Sequence, residues 1–193
     1  MIIKTLVVGM YGTNCYVVGS EITKDGVIID PGAEARAIMQ TVKETRLNIK
    51  LIAITHGHTD HTGALEQLKR ATGAPVAVHI ADADSLPGMG PNDRFLKGGE
   101  NLTVGDLRFS VIHTPGHSPG GICFYGQDTL FCGDTLFNFS IGRTDLGGDY
   151  NQLMNSIFNK LMVLPDNTVV CPGHGPETTI GAERQLNPFL RIR

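Results

Sequence analysis

The feature that most constrains the fold is a histidine-rich run between a strand pattern and a helix pattern. Residues 55–61 read T-H-G-H-T-D-H, which places three imidazoles and one carboxylate within six positions. The preceding residues 51–54 are apolar and predict a strand, and residues 62–69 predict a helix. The run therefore forms a strand-to-helix loop, where functional side chains are commonly held by a rigid scaffold.

Three later apolar runs each lead into a glycine that is followed by one potential metal ligand. The motifs are H-T-P-G-H at residues 113–117, G-D at residues 133–134 and P-G-H at residues 172–174. Glycine permits a sharp exit from a strand, so a sheet can present these side chains at one rim. With the histidine run, the candidate metal ligands are His56, His58, Asp60, His61, His117, Asp134 and His174.

This ligand set is too large for a single metal ion. A tetrahedral metal takes about four ligands, whereas two metals about 3.5–4 Å apart would use all seven, with one carboxylate bridging them. Imidazole and carboxylate bind several metals, so we expect two divalent cations, with Zn²⁺ as first choice and iron or manganese as alternatives. Of the remaining histidines, His79 is expected to be structural at a strand end, and His113 to orient a loop.

Length, charge and cysteine usage exclude several classes of protein. The chain has 193 residues and a net charge of −3, which favours one domain over residues 1–193 and argues against a nucleic-acid partner. Its N-terminal apolar run is too short and broken for a membrane segment. The cysteines form no C-x-x-C pair, so we expect reduced, buried thiols in a cytoplasmic protein.

The rest of the chain alternates between strand and helix patterns. Residues 34–46 predict a helix, and the region rich in glycine and proline at 87–99 predicts a loop or flap. Asp149 is followed three residues later by Gln152, which predicts a helix start. This alternation is typical of a layered α/β architecture.

Taken together, these motifs resemble the metallo-β-lactamase superfamily, in the family's order and over nearly the whole chain. The resemblance implies an α/β fold, an αββα sandwich of two mixed sheets flanked by helices, with metals at one edge. It also implies that Asp30, in the motif I-D-P-G, supports the metal ligands from behind. By the same resemblance, the first metal is held by His56, His58 and His117, the second by Asp60, His61 and His174, and the bridge is Asp134.

Within the superfamily, the chain is most similar to the glyoxalase II group, which hydrolyses thioesters of glutathione. Asp134 stands where the common zinc β-lactamases have cysteine, and His58 stands where diiron oxygen-reducing relatives have glutamate. The RNA-processing relatives usually carry extra segments and a basic surface, and this chain has neither the length nor the charge for them. The segments G-D-T-L-F and I-G-R-T-D resemble small bacterial members, with Arg143 where larger enzymes use lysine to hold a glutathione carboxylate.

The resemblance implies a thioester hydrolase of the hydroxyacylglutathione hydrolase type, acting on a small-molecule thioester. A metal-bridging hydroxide would attack the thioester carbonyl, with Asp60 and Asp134 as the catalytic carboxylates and Arg143 binding the substrate. Two departures weaken the inference of glutathione specificity. Only a short tail follows His174, where larger members have a helical domain, and Asp145 replaces an aromatic residue that helps to bind glutathione.

Other functions fit the same ligand list. The persulfide dioxygenases share the fold, the H-x-H-x-D-H run and a G-R-T-D loop, and they bind one iron. In this chain the corresponding ligands would be His56, His117 and Asp134, a set that suits oxygen activation. A lactone or other ester hydrolase would use the same hydrolytic chemistry, and a metal-bound scaffold that binds an acyl-thiol is the non-enzymatic alternative.

Overall fold

The computed structural model describes residues 1–86 and 88–191, and Pro87 in the predicted loop lies outside them. A first six-stranded sheet has the order β1-β2-β3-β4-β5-β6. Its first three strands are antiparallel neighbours, and its last four are parallel, so the sheet is mixed. The strands are Ile2–Val8, Thr13–Gly19, Asp25–Ile29, Asn48–Ala53, Val76–His79 and Arg94–Leu96.

A second six-stranded sheet is built from the rest of the chain, in the order β14-β13-β10-β9-β8-β7. β10 and β13 are parallel, and the other neighbours are antiparallel. The strands β7 to β10 are Asn101–Val104, Leu107–His113, Ile122–Gly126 and Thr129–Gly133, and β13 and β14 are Val169–Pro172 and Thr178–Thr179. A short hairpin, β11 (Leu136–Phe137) and β12 (Ser140–Ile141), follows β10.

Helices cover the outer face of each sheet. The first sheet carries α1 (Ala35–Thr45) and α3 (Leu65–Thr72), and the second carries α4 (Tyr150–Ser156) and α5 (Ile180–Leu186). A short α2 (Thr59–Thr62), a 3-10 helix (Ile80–Ser85) and a π-helical turn (Ile157–Leu161) complete the set. Among the described residues, no helix is long and apolar enough to cross a membrane.

Three apolar clusters hold these layers together. Because side chains alternate along a strand, β2 buries Val17 toward α1 and α3, and Tyr16 and Val18 toward the second sheet. Phe124 and Phe131 of the second sheet complete the middle cluster. The third cluster packs the second sheet against its own helices. The predicted αββα sandwich is therefore confirmed, and the four cysteines are free and buried as expected.

Local predictions agree with the structure except in two places. The predicted helix at 34–46 appears as α1, and the Asp149 side chain accepts a hydrogen bond from Gln152 N at 3.0 Å. The prediction of a loop over 87–99 was wrong for Arg94–Leu96, which forms β6 and pairs with β5. The predicted helix at 62–69 is divided into α2 and α3.

Candidate metal centre

All seven predicted ligands lie at one edge of the sandwich, in segments that follow strands. His56 and His58 lie in the loop after β4, and Asp60 and His61 lie in α2. The other three follow strands of the second sheet: β8 precedes His117, β10 precedes Asp134, and β13 precedes His174. A hydrogen bond of 2.9 Å from Ile122 N to Thr55 O joins the two sheets beside this edge.

The side chains form three overlapping sets whose ligand atoms lie within 4.8 Å of one another. His58 Nδ1 is 2.9 Å from His117 Nε2, and His61 Nε2 is 3.3 Å from His174 Nε2. Asp134 faces both pairs, with Oδ1 3.4 Å from His61 Nε2 and Oδ2 3.6 Å from His117 Nε2. The sets are His56, His58 and His117; His56, His61 and Asp134; and Asp60, His61 and His174.

Two atoms at the middle of this cluster are buried and poorly paired. Among the described residues, His56 Nε2 has no hydrogen-bond partner, and Asp134 Oδ1 has only the long contact of 3.4 Å with His61 Nε2. A buried polar atom left unpaired costs about 1–3 kcal/mol. A nitrogen lone pair and a carboxylate oxygen are also ligands that zinc, iron and manganese accept. The residues therefore fit divalent cations.

Hydrogen bonds at the outer nitrogens orient four of the five imidazoles in the cluster. In each of the four, Nδ1 has a partner and Nε2 points inward, which is the usual arrangement around metal-binding histidines. The fifth ring, His58, presents Nδ1 to the cluster. The outer contacts are His56 to Thr55 Oγ1 at 3.1 Å, His61 to Asp30 Oδ2 at 3.0 Å, His117 to Arg143 O at 2.7 Å and His174 to Tyr11 O at 3.1 Å.

Asp30 lies directly behind the cluster, at the end of β3. Its carboxylate accepts hydrogen bonds from Thr55 N at 2.7 Å and Thr55 Oγ1 at 2.6 Å, besides its contact with His61. It is 1% exposed and has a φ of +51°, a backbone conformation uncommon outside glycine, asparagine and aspartate. One carboxylate therefore orients His61 directly and His56 through Thr55.

The side chains of the cluster have pKa values that are shifted in different directions. Burial, reinforced by the neighbouring imidazoles, lowers the pKa of His56 well below its usual range. Burial alone would also lower the pKa of His61, but Asp30 and Asp134 outweigh it and raise that pKa to about 10. Burial favours the neutral form of Asp134, yet the hydrogen bond and charge of His61 keep its pKa low. Asp134 is thus held as an anion and His56 as a neutral ligand.

Arg143 contributes a backbone atom to the cluster, which the sequence did not indicate. Its carbonyl accepts the hydrogen bond from His117 Nδ1. Its guanidinium is 58% exposed and makes two contacts of 2.7 Å with Asp145. The predicted substrate-binding group is therefore paired with an acidic neighbour on the surface.

The loop between β1 and β2 also borders the centre, although no sequence motif marked it. Thr13 Oγ1 donates to Asp60 Oδ2 at 3.2 Å. Met10 and Tyr11 are 91% and 72% exposed, which is high for large apolar side chains. They line a groove of about 230 Å³ that reaches Thr59 and Asp60. The groove therefore lies on the surface beside Asp60, at one side of the cluster.

His79 and His113 lie outside the three metal-ligand sets. Their rings stack with centroids 4.0 Å apart. His79 Nδ1 accepts a hydrogen bond from Ala81 N at 3.2 Å, and His113 Nε2 lies 3.0 Å from Pro119 O. Both rings thus connect loops behind the centre, in line with the structural roles predicted for them.

The family model described as the metallo-β-lactamase superfamily matches residues 8–174. The chain belongs to the metallo-β-lactamase superfamily. The hydroxyacylglutathione hydrolase GloC of Haemophilus influenzae is 39% identical to it over 100% of both chains. This superfamily member therefore has the metallo-hydrolase fold together with clusters of histidine and aspartate that can hold metal.

Three solved structures are similar over nearly the whole chain. BLEG-1, described as a B3 metallo-β-lactamase, has a TM-score of 0.90 and 41% identity, covering 99% of this chain and 100% of its own. ETHE1 from Myxococcus xanthus has a TM-score of 0.88 and 34% identity, covering 97% and 84%. TTHA1623, solved in a di-iron-bound form, has a TM-score of 0.85 and 37% identity, covering 97% and 100%.

Proposed function

We propose that this protein is a binuclear metal-dependent thioesterase of the hydroxyacylglutathione hydrolase type. The observation that carries the proposal is the position of Asp134, whose two oxygens face His61 on one side and His117 on the other. A carboxylate placed between two nitrogen clusters can contact both members of a pair of cations. Full-length similarity to GloC supports a thioester as the substrate class.

In this proposal, the ligands would divide between two ions, and Asp134 would contact both. Zn²⁺ is the expected metal, and iron or manganese would bind the same donors; the relative TTHA1623 has been solved with two irons. The first ion would be held by His56, His58 and His117, and the second by Asp60, His61 and His174.

Bound divalent cations would lower the pKa of a shared water and polarise the substrate carbonyl. The chain's own contribution is to accept and hold protons around that chemistry. The Asp60 side chain is 24% exposed, and its Oδ2 accepts a hydrogen bond from Thr13 Oγ1. The hydrogen bond with His174 lowers the pKa of this carboxyl, so Asp60 stays an anion and would accept the proton of the shared water in a hydrogen bond. The departing thiolate has a parent pKa of about 8.5, so it leaves without a strong general acid.

The groove beside Asp60 would receive part of the thioester, in contact with the exposed Met10 and Tyr11. Arg143 would bind a substrate carboxylate by exchanging it for Asp145, because a guanidinium pairs with either carboxylate in the same two-point geometry. The exchange occurs at an exposed ion pair, where pairing contributes little free energy, so it would cost little.

The test measures both metal content and substrate preference on one preparation of the protein. Protein purified without added metal is analysed for elements, then assayed for thiol release from S-lactoylglutathione, with a chromogenic β-lactam as the comparison substrate because of the similarity to BLEG-1. We expect about two metals per chain and faster turnover of the thioester. Two bound metals with no thioester hydrolysis, or preferential β-lactam hydrolysis, would refute the proposal.

The oxidoreductase alternative is decided by the same preparation. Asp134 Oδ2 lies 3.6 Å from His117 Nε2, so His56, His117 and Asp134 could hold a single iron. One iron per chain, with oxygen uptake on addition of glutathione persulfide, would replace the hydrolase proposal by persulfide oxidation.

A further inference from the structure

Asp82 is a buried carboxylate that lies behind the centre and is accounted for by no motif. It belongs to the 3-10 helix after β5 and is 7% exposed. Its oxygens accept hydrogen bonds from Gly57 N at 2.9 Å, Ser118 Oγ at 2.7 Å and Gly120 N at 2.6 Å. These donors come from two different loops, and each loop carries candidate metal ligands.

The two loops are the ones that form the first metal-ligand set. Gly57 lies between His56 and His58, and Ser118 directly follows His117. His58 Nδ1 and His117 Nε2 approach to 2.9 Å across the gap between these loops. Asp82 therefore joins, through one carboxylate, the two segments whose separation determines the geometry of this set.

The contact is too close for any side chain at the two glycines. A Cβ at Gly57 would lie 2.1 Å from Ser85 Oγ, and a Cβ at Gly120 would lie 2.5 Å from Asp82 Cγ. Such distances are far inside van der Waals contact, so both loops lie directly against the 3-10 helix. The backbone N–H groups can reach the carboxylate because glycine occupies these positions.

We propose that Asp82 is a positioning residue for the first metal site, where it fixes the separation of His58 and His117 and so sets the affinity for a divalent cation. The second site depends on a different carboxylate, because Asp30 contacts His61 directly. Asp30 reaches the first site only through Thr55, which contacts His56. The inference rests on the proposed binuclear centre but not on the identity of the substrate.

The Asp82→Asn substitution keeps the size of the side chain and replaces one acceptor oxygen by a donor. Whichever way the amide faces, at least one N–H or O–H donor of the two loops loses its acceptor. Loss of a partner behind metal ligands typically weakens binding 10–100-fold, so we expect about that loss at the first site and less than about threefold at the second. Ser118→Ala removes one of the three contacts and should give a smaller loss at the same site.

The measurement is a Co²⁺ titration of the full-length, metal-free chain, followed by visible absorption in competition with a chelator. His117→Ala and His174→Ala assign each binding step to the first or the second site. Asp93→Asn is the matched control, because Asp93 is also a buried carboxylate with three donors, namely Val76 N, Gly90 N and Lys69 Nζ. It contacts neither metal loop through these bonds.

The expected result is a weakened first step and an altered Co²⁺ spectrum in Asp82→Asn, with both steps of Asp93→Asn unchanged. Equal weakening of both steps, or no weakening, would overturn the proposal. If Asp82→Asn does not fold, Ser118→Ala decides, and unchanged affinity at the first site would overturn the proposal. A wild-type chain that binds one Co²⁺ contradicts the binuclear function, and the effect of Asp82→Asn on that single step still tests this inference.

Discussion

The Asp30→Asn substitution is expected to destabilise the metal-free chain and to weaken the second metal site. Asp30 Oδ1 accepts from Thr55 N, and Oδ2 accepts from Thr55 Oγ1 and contacts His61 Nδ1. An amide nitrogen in place of Oδ1 would face a buried N–H, and both donors would be unpaired. If the amide nitrogen instead replaced Oδ2, it would donate to His61 Nδ1. The ring proton would then move to Nε2, which is the nitrogen needed to bind the metal.

The magnitude follows from the contacts that are lost. A hydrogen bond to a charged group contributes about 1.5–3 kcal/mol, and a buried unpaired donor costs about 1–3 kcal/mol. One such loss gives a decrease of roughly 2–4 kcal/mol in the free energy of unfolding. For a chain of this length that corresponds to a fall in melting temperature of roughly 4–16 °C. Metal affinity at the second site should fall about 10–100-fold.

The assay is thermal unfolding of the metal-free proteins by circular dichroism, followed by Zn²⁺ titration against a competing chelator. Asp84→Asn is the control, because Asp84 is an exposed carboxylate on the neighbouring 3-10 helix. If Asp30→Asn has the same melting temperature as the wild type and binds two metals with unchanged affinity, Asp30 does not orient His61 and the reasoning fails.

Three further substitutions test separate parts of the site and the fold. Asp134→Ala should lose at least one of two metals by elemental analysis together with thioesterase activity, since it removes the carboxylate between His61 and His117; two metals and full activity would contradict the bridge. Arg143→Ala keeps the carbonyl that holds His117, so metal content should be unchanged while KM for S-lactoylglutathione rises about tenfold at constant kcat; an unchanged KM would remove the guanidinium from substrate binding. Burial alone would raise the pKa of Asp93, but Lys69 and backbone donors outweigh it and hold the pKa below its usual range. This carboxylate therefore stabilises the fold above its usual pKa, and the stabilisation is lost as pH falls through the lowered value. Between roughly pH 5 and 2, the free energy of unfolding in urea should therefore decline less in Asp93→Asn than in the wild type. An equal decline in the two proteins would refute this role of Asp93.

The sequence was sufficient to predict a cluster of seven candidate ligands, because each of these residues carries its own local signal. His117, Asp134 and His174 follow apolar runs that predict strands, and the histidine run lies between a strand and a helix. The ends of neighbouring strands meet at one edge, so these separate motifs had to converge there. The alternation of strand and helix patterns predicts a layered α/β architecture, and the resemblance to the superfamily implied the αββα sandwich.

The groups behind the ligands gave no comparable signal. Tyr11 and Arg143 orient His174 and His117 through backbone carbonyls, which every residue has. Similarly, β6 was missed because Arg94–Leu96 follows a region rich in glycine and proline, and its pairing with β5 depends on a distant part of the chain. Interactions that use the backbone, or that join distant segments, are set by the tertiary structure.

The two buried aspartates show where this boundary lies. Asp30 follows a strand in the motif I-D-P-G, and the resemblance to the superfamily implied its position beside the site. Asp82 lies in the segment I-A-D-A-D next to the exposed Asp84, and only the packing of two loops over it distinguishes the two side chains. Because metal affinity depends on how far apart the ligand loops are held, relatives with the same ligand list can differ in metal affinity through such residues, which never touch the metal.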